Sequence, residues 1–170
     1  MTAAKAAQPV PIYMTPACAL RLRAELKKLL YELRPEMVKT AAWAASNGDR
    51  SENADYHYAK KTLRQYDGRI RFLSKRLEAA TIVDPVRQAQ NANGRVLFGC
   101  TVTVENADGE EKVYRIVGVD EYDGGRGYVS WISPIGRALL GASAGDTVAF
   151  TTPGGRTELE IVKVAYEPLD

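Results

Sequence analysis

The chain has 170 residues, 45% of them apolar and 26% charged, with a net charge of +2. That balance excludes the disordered class, and no apolar run approaches the roughly 18 residues that a membrane-spanning helix needs. The length allows one domain or two small ones. Charge divides it: residues 1–83 carry +7 and residues 84–170 carry −5, which suggests two units with different partners, the basic one meeting nucleic acid.

Residues 1–14 open MTAAKAAQPV, with one lysine and no apolar core. They read as a loose tail and not as a secretory signal, so a cytoplasmic location is expected. Cys18 and Cys100 lack metal-ligand spacing and read as ordinary small apolar residues in a reducing compartment.

From Thr15 onward the pattern is helical. Thr15 is a good N-cap and Pro16 a good first helical residue. Leu22, Leu26, Leu29, Leu33 and Met37 then form a stripe, and Pro35 within it predicts a bend. Ser46-Asn47-Gly48 breaks the pattern. Beyond the break Tyr56, Ala59, Leu63, Tyr66, Ile70, Leu73, Leu77 and Ala80 alternate steps of three and four, a heptad seam. Residues 15–82 are therefore predicted to be an antiparallel coiled-coil hairpin, each arm roughly 45 Å long.

Asp49, Glu52 and Asp55 fall at three-residue steps around the hairpin tip. Asp49-Arg50-Ser51-Glu52 has capping-box spacing, and acids suit the positive end of a helix dipole. The same acids could instead be presented to a metal ion or a basic partner. Both readings stand on the residues alone. Further along the second arm, Lys60, Arg64, Arg71 and Lys75 share one side, with Lys61, Arg69 and Arg76 nearby and only Asp67 and Glu78 to balance them. This is a solvated flank or a track for a nucleic-acid backbone.

Residues 83–93 carry a proline and small polar residues and read as a linker to a second domain, 94–170. There the period changes to two, with strands expected near 95–105, 112–119, 127–132, 146–152 and 157–165. Asn106-Ala107-Asp108-Gly109 and Pro153-Gly154-Gly155 predict two hairpin turns. Ser133-Pro134 predicts a short helix ending at Gly141. The fold class is thus α+β: a helical hairpin followed by an antiparallel sheet domain with one short helix.

Several chemistries lack their residues. There is no dinucleotide-binding glycine motif and no P-loop. His57 is the only histidine, and no serine motif supports a triad around it. Zinc ligands are missing. Asp120, Glu121 and Asp123 in DEYDGGRG read as a flexible acidic loop, without the spacing of a calcium loop. Tyr56, Tyr58 and Tyr66 read as seam or flank packing.

Residues 43–84, WAASNGDRSENADYHYAKKTLRQYDGRIRFLSKRLEAATIVD, resemble the tip and second helix of the bacterial Gre transcript-cleavage factors, the GreB branch in particular. SPIGRALLGASAGDTVAFTTPGG, residues 133–155, is similar to a second signature of that family. The resemblance runs from about Met14 to Tyr166. It implies a C-terminal domain like FK506-binding proteins, docked on bacterial RNA polymerase at its secondary channel, and a coiled coil reaching toward the active site. It also implies a monomer when free. The expected function is to stimulate the polymerase's own hydrolysis of backtracked RNA; the factor is not itself the enzyme.

Carried over residue by residue, the resemblance makes Asp49 and Glu52 holders of the second, weakly bound Mg²⁺ of the polymerase, a cofactor the free protein does not bind. Ser51 joins them in the cleavage site, and Ser51 and Asn53 orient the water or the tip. Asp55 serves tip structure or polymerase contact. Lys60, Lys61, Arg64, Arg71 and Lys75 face the extruded RNA 3′ end. Ser133, Pro134, Ala138 and Leu139 contact the polymerase. A channel-binding relative that inhibits the polymerase, or a plain RNA-binding coiled coil, are the alternatives.

Overall fold

Pro35 decides the course of the first helical arm. It has no N–H to donate and its ring would crowd the carbonyl of Tyr31, one turn back. In the computed structural model, which describes residues 8–48 and 52–170, the arm accommodates this by widening. Helix α1 (Pro16–Lys28) passes into a π-helical turn at Leu29–Leu33 and then into α2 (Arg34–Ser46). The Arg34 N–H reaches back five residues, to the Leu29 carbonyl. The bend expected at Pro35 thus takes the form of a π-bulge just before it.

The second arm is α3 (Ala54–Ala79). Two compact units are distinguishable, Ala19–Ala79 and Met1–Cys18 with Ala80–Asp170. In the helical unit the seam buries Leu29, Ala41, Ala44, Ala59, Thr62 and Leu73. Leu63, Tyr66, Ile70 and Leu77 are only half-buried, because a two-helix hairpin gives each helix a single neighbour. Two ion pairs fix the register: Arg34 Nε to Asp67 Oδ1 at 2.7 Å, and the Arg69 guanidinium on both Glu25 oxygens at 2.6 and 2.9 Å. Exposed pairs of this kind each contribute about 0–1 kcal/mol, so they choose the alignment more than they stabilise it.

The other unit departs from the expected boundaries at two places. Ile12–Met14, read as the end of a loose tail, is strand β1, paired in parallel with β2 (Ala80–Ile82). Met14 is fully buried, and Tyr13 packs its ring against Phe98 and Trp131 at 5.7 and 5.2 Å. Three residues are too few for a period to show in sequence. The expected linker also contains a helix, α4 (Pro85–Ala92). Asp84 caps it by accepting from Val86 N at 2.9 Å, Pro85 fills its first turn, and Asn93 ends it in the left-handed region at φ 49°. The proline that suggested a linker is a helix start.

The main sheet contains β3 (Thr101–Glu105), β4 (Glu111–Val117), β5 (Tyr128–Ser130), β6 (Thr147–Thr152) and β7 (Gly155–Ala165), in the order β5-β4-β3-β7-β6. Residues 95–100, expected to begin the first strand, are largely irregular instead, with a turn at Phe98-Gly99 and Arg95 making only an isolated bridge to Ser143. Both predicted hairpin turns are present, joining β3 to β4 and β6 to β7. The sheet is antiparallel except at its edge, where β5 runs parallel to β4. Helix α5 (Pro134–Leu139) follows β5 as expected. Val96, Cys100, Val102, Val104, Ile116, Leu139, Leu159 and Ile161 form the core. Cys18 and Cys100 are both buried, and burial pushes the Cys100 thiol up to about 11.

Candidate functional site

The hairpin tip is held by Asn53. Its Oδ1 accepts from Tyr56 N at 3.0 Å, which makes it the N-cap of α3. Its Nδ2 donates to the Ala44 carbonyl at the end of α2, at 2.5 Å. One side chain therefore starts the second helix and ties it to the first. Ala44 and Ala59 are fully buried close by, where small side chains let the arms approach.

This placement removes the capping-box reading. With the cap at Asn53, Glu52 precedes the helix and cannot occupy its third position. Glu52 is exposed, and Asp55 is exposed in the first turn of α3, where the helix dipole favours an acid. Neither makes an ion pair with a described residue. Asn47, Gly48, Glu52, Asn53 and Asp55 line an open concavity of about 320 Å³. Asp49 and Ser51 lie outside the described residues. Among those described, no three potential metal ligands cluster. The described donors at the tip, Glu52 and Asp55, are hard anionic oxygens of the kind that Mg²⁺ takes.

Lys60, Lys61, Arg64, Arg71 and Lys75 are all exposed on α3. At about 100° per residue, Lys60, Arg64, Arg71 and Lys75 fall within an arc of about 60°, turned away from the seam. Of the two acids between 60 and 80, Asp67 lies just outside that arc and is engaged by Arg34, whose hydrogen bond holds its carboxyl below the usual range. Glu78 lies on the arc at its far end, beyond Lys75, so the stripe keeps its positive charge from Lys60 to Lys75.

The residues expected to dock on a polymerase divide differently. Ser133 is committed to α5, its Oγ accepting from Gly136 N at 3.1 Å and donating to the Ser130 carbonyl at 2.6 Å. Pro134 is exposed and Ala138 is half-buried. Leu139 is fully buried in the core; its side chain cannot form a docking contact, and its place in the motif reflects packing.

Glu121, read as part of a flexible acidic loop, is 6% exposed. It accepts from Thr15 N and Gly118 N, each at 3.1 Å, and from the Thr15 hydroxyl. Thr15 Oγ1 in turn accepts from Cys18 N at 3.2 Å, capping α1. A Cβ at Gly118 would overlap the Tyr13 carbonyl, so glycine is required for this close approach. Partners 106 residues apart leave no local signal, whereas Asn53 could have been found as an Asn three residues before Tyr56, the first residue of the seam.

Comparison with known proteins accounts for both halves of the chain. A family model described as "Transcription elongation factor, N-terminal" matches residues 12–82, and one described as "Transcription elongation factor, GreA/GreB, C-term" matches residues 90–166. Transcription elongation factor GreB of Neisseria meningitidis serogroup A is 49% identical over 158 residues, which is 93% of this chain and 96% of that protein. GreB of Yersinia pestis is 44% identical over 86% of this chain and 84% of its own. Among solved structures, that of the transcription factor Gfh1 shares 25% identity over 92% of this chain and 99% of that one, with a TM-score of 0.42. On its sequence the chain belongs to the GreA/GreB family of transcription elongation factors.

Proposed function

We propose that this factor binds RNA polymerase at the secondary channel and stimulates the polymerase's hydrolysis of backtracked RNA, rescuing arrested complexes. The observation that carries the proposal is the tip. The acids described there, Glu52 and Asp55, are exposed and paired with no described cation, while the Asn53 bridge fixes the helix start beside them. Glu52, ahead of the helix, has no part in the cap that starts α3. Asp49 and Glu52 are the residues that would hold a Mg²⁺ ion jointly with the polymerase. When bound there, the ion would activate a water for attack on the phosphodiester. The protein's own part is to carry these carboxylates on a stiff arm, to orient them through Asn53 and Ser51, and to guide the RNA 3′ end along Lys60, Lys61, Arg64, Arg71 and Lys75. Pro134 and Ala138 are the members of the C-terminal signature left available for docking.

The test is cleavage of end-labelled RNA in a stalled, backtracked bacterial transcription complex at limiting Mg²⁺. Wild-type protein should shorten the RNA and restart elongation. Asp49→Asn and Glu52→Gln should each abolish stimulation without loss of polymerase binding. Binding with uncut RNA or slowed elongation would instead assign an inhibitor of the same channel.

A further inference from the structure

Beside the charge stripe, α3 carries a second row. Tyr58, Lys61, Gln65, Arg69, Phe72 and Arg76 follow at steps of three, four, four, three and four, which places them within an arc of about 80° on the flank between stripe and seam. Rings stand at two levels of this row. Tyr58 is 64% exposed and Phe72 40% exposed. No ring or cation–π contact with a described residue engages Tyr58, while Phe72 lies under two guanidinium groups, Arg76 at 4.8 Å and Arg69 at 5.2 Å. The two rings are 14 residues apart, about 21 Å along the helix. Neither belongs to the seam; Phe72 lies beneath Arg69, whose guanidinium Glu25 holds across the hairpin, while Tyr58 is the more exposed of the two.

A lysine and arginine stripe can follow any polyanion, and its affinity falls with salt. Exposed rings and guanidinium planes interleaved with that charge add something a phosphate cannot use, which is a surface for stacking. Every base has a π face, and unpaired bases stack on such platforms. In a duplex those faces are already occupied. We infer that this flank is a stacking ladder for the bases of single-stranded RNA. Tyr58 takes a base near the tip, and the Arg69–Phe72–Arg76 stack takes another further along. The phosphates lie on Lys60, Arg64, Arg71 and Lys75. This inference rests on the RNA track proposed above and adds base contacts to it.

The experiment is fluorescence anisotropy of the full chain with a labelled single-stranded oligoribonucleotide of mixed sequence, across a series of salt concentrations. Tyr58→Ala should weaken binding about 5- to 150-fold and leave the slope of log affinity against log salt unchanged. Tyr58→Phe, which keeps the ring, should bind within about twofold of wild type. Lys60→Ala and Arg64→Ala should instead reduce the slope, by about 0.7 each. An abasic oligonucleotide should bind wild type more weakly than the normal one binds Tyr58→Ala, because it loses the base at both levels of the ladder. If Tyr58→Ala binds like wild type while the charge variants weaken, the ladder is wrong and the phosphate track stands. If the abasic strand binds wild type as well as the normal one, the ladder is wrong in the same way. If wild type fails to bind the oligonucleotide even at low salt, the track and the ladder both fall.

Discussion

Asn53 offers the clearest separation of tip structure from tip chemistry, because its two ends do different things. Replacing it by alanine removes the N-cap of α3, worth about 0.5–2 kcal/mol. It also removes the bond to the Ala44 carbonyl, worth about 0.5–1.5 kcal/mol. Together the loss is about 1–3.5 kcal/mol, confined to the last turns of the hairpin because α2 and α3 remain packed through Ala41, Thr62 and the seam beyond. Native-state hydrogen exchange reads such a loss locally. The amides of Tyr56 and His57 should exchange faster by about 5- to 300-fold, since about 1.4 kcal/mol corresponds to a factor of ten. Those in the middle of α3 should be unchanged. Asn53→Asp divides the effect: aspartate caps as well as asparagine, but has no N–H for Ala44. It should keep the protection of Tyr56 and lose only the tie between the arms. In the cleavage assay both variants should be impaired with Asp49 and Glu52 intact, alanine more than aspartate. Unchanged exchange at Tyr56 and His57 in the alanine variant would refute the bridge as the element that orders the tip.

Two further outcomes follow from buried and paired acids. Glu121→Ala orphans the Thr15 and Gly118 donors, at about 1–3 kcal/mol for each buried group left unpaired. Glu121→Gln can keep its oxygen on the two N–H groups and turn its amide to Thr15 Oγ1, costing less than about 1 kcal/mol; equal loss in the two variants, measured by denaturant unfolding, would show that charge and not geometry holds the contact. Glu25 is held below its ordinary carboxylate value of 4.5, first by its hydrogen bond from Arg69. A depressed folded value means that the contribution is present above the unfolded value and is lost as pH falls through the folded one. Thermal unfolding of wild type should therefore lose this part of its stability below about pH 4.5, Glu25→Gln should lack that component, and parallel curves for the two would rule the pair out as a source of acid sensitivity.

What the sequence made legible was whatever repeats. The seam on α3 repeats over more than three heptads, and Ala59 and Leu73 are buried where the period put them. Thr62 is buried too, although it is polar, because its hydroxyl is satisfied within its own helix by the Tyr58 carbonyl at 2.9 Å. Hydrophobic patterning cannot see a hydroxyl that brings its own acceptor. The strands of the sheet unit were legible through alternation and through turn chemistry. In the first turn Asn106 Oδ1 accepts from Asp108 N and Glu110 N at 3.0 and 2.9 Å, and Gly109 supplies φ 79°. What was not legible was set by contacts remote in sequence. Strands β1 and β2 are three residues each and exist because they pair with each other. Glu121 is buried because Thr15 and Gly118 satisfy it.

The tip shows where local and remote information meet. Asn53, Glu52 and Asp55 lie within four positions, so any reading of the stretch had to assign them among cap, ligand and solvated acid. Spacing alone favoured an acid as the cap. The structure gives that task to the amide, and the physical reason is that an amide, unlike a carboxylate, can both accept from the start of one helix and donate to the end of the other. An aspartate in its place could accept but not donate. Because a neutral side chain closes the hairpin, Glu52 is left without a capping duty, and Asp55 serves the start of α3 only through the helix dipole. That freedom of Glu52, and not the acidity of the stretch as such, is what the proposed metal role requires.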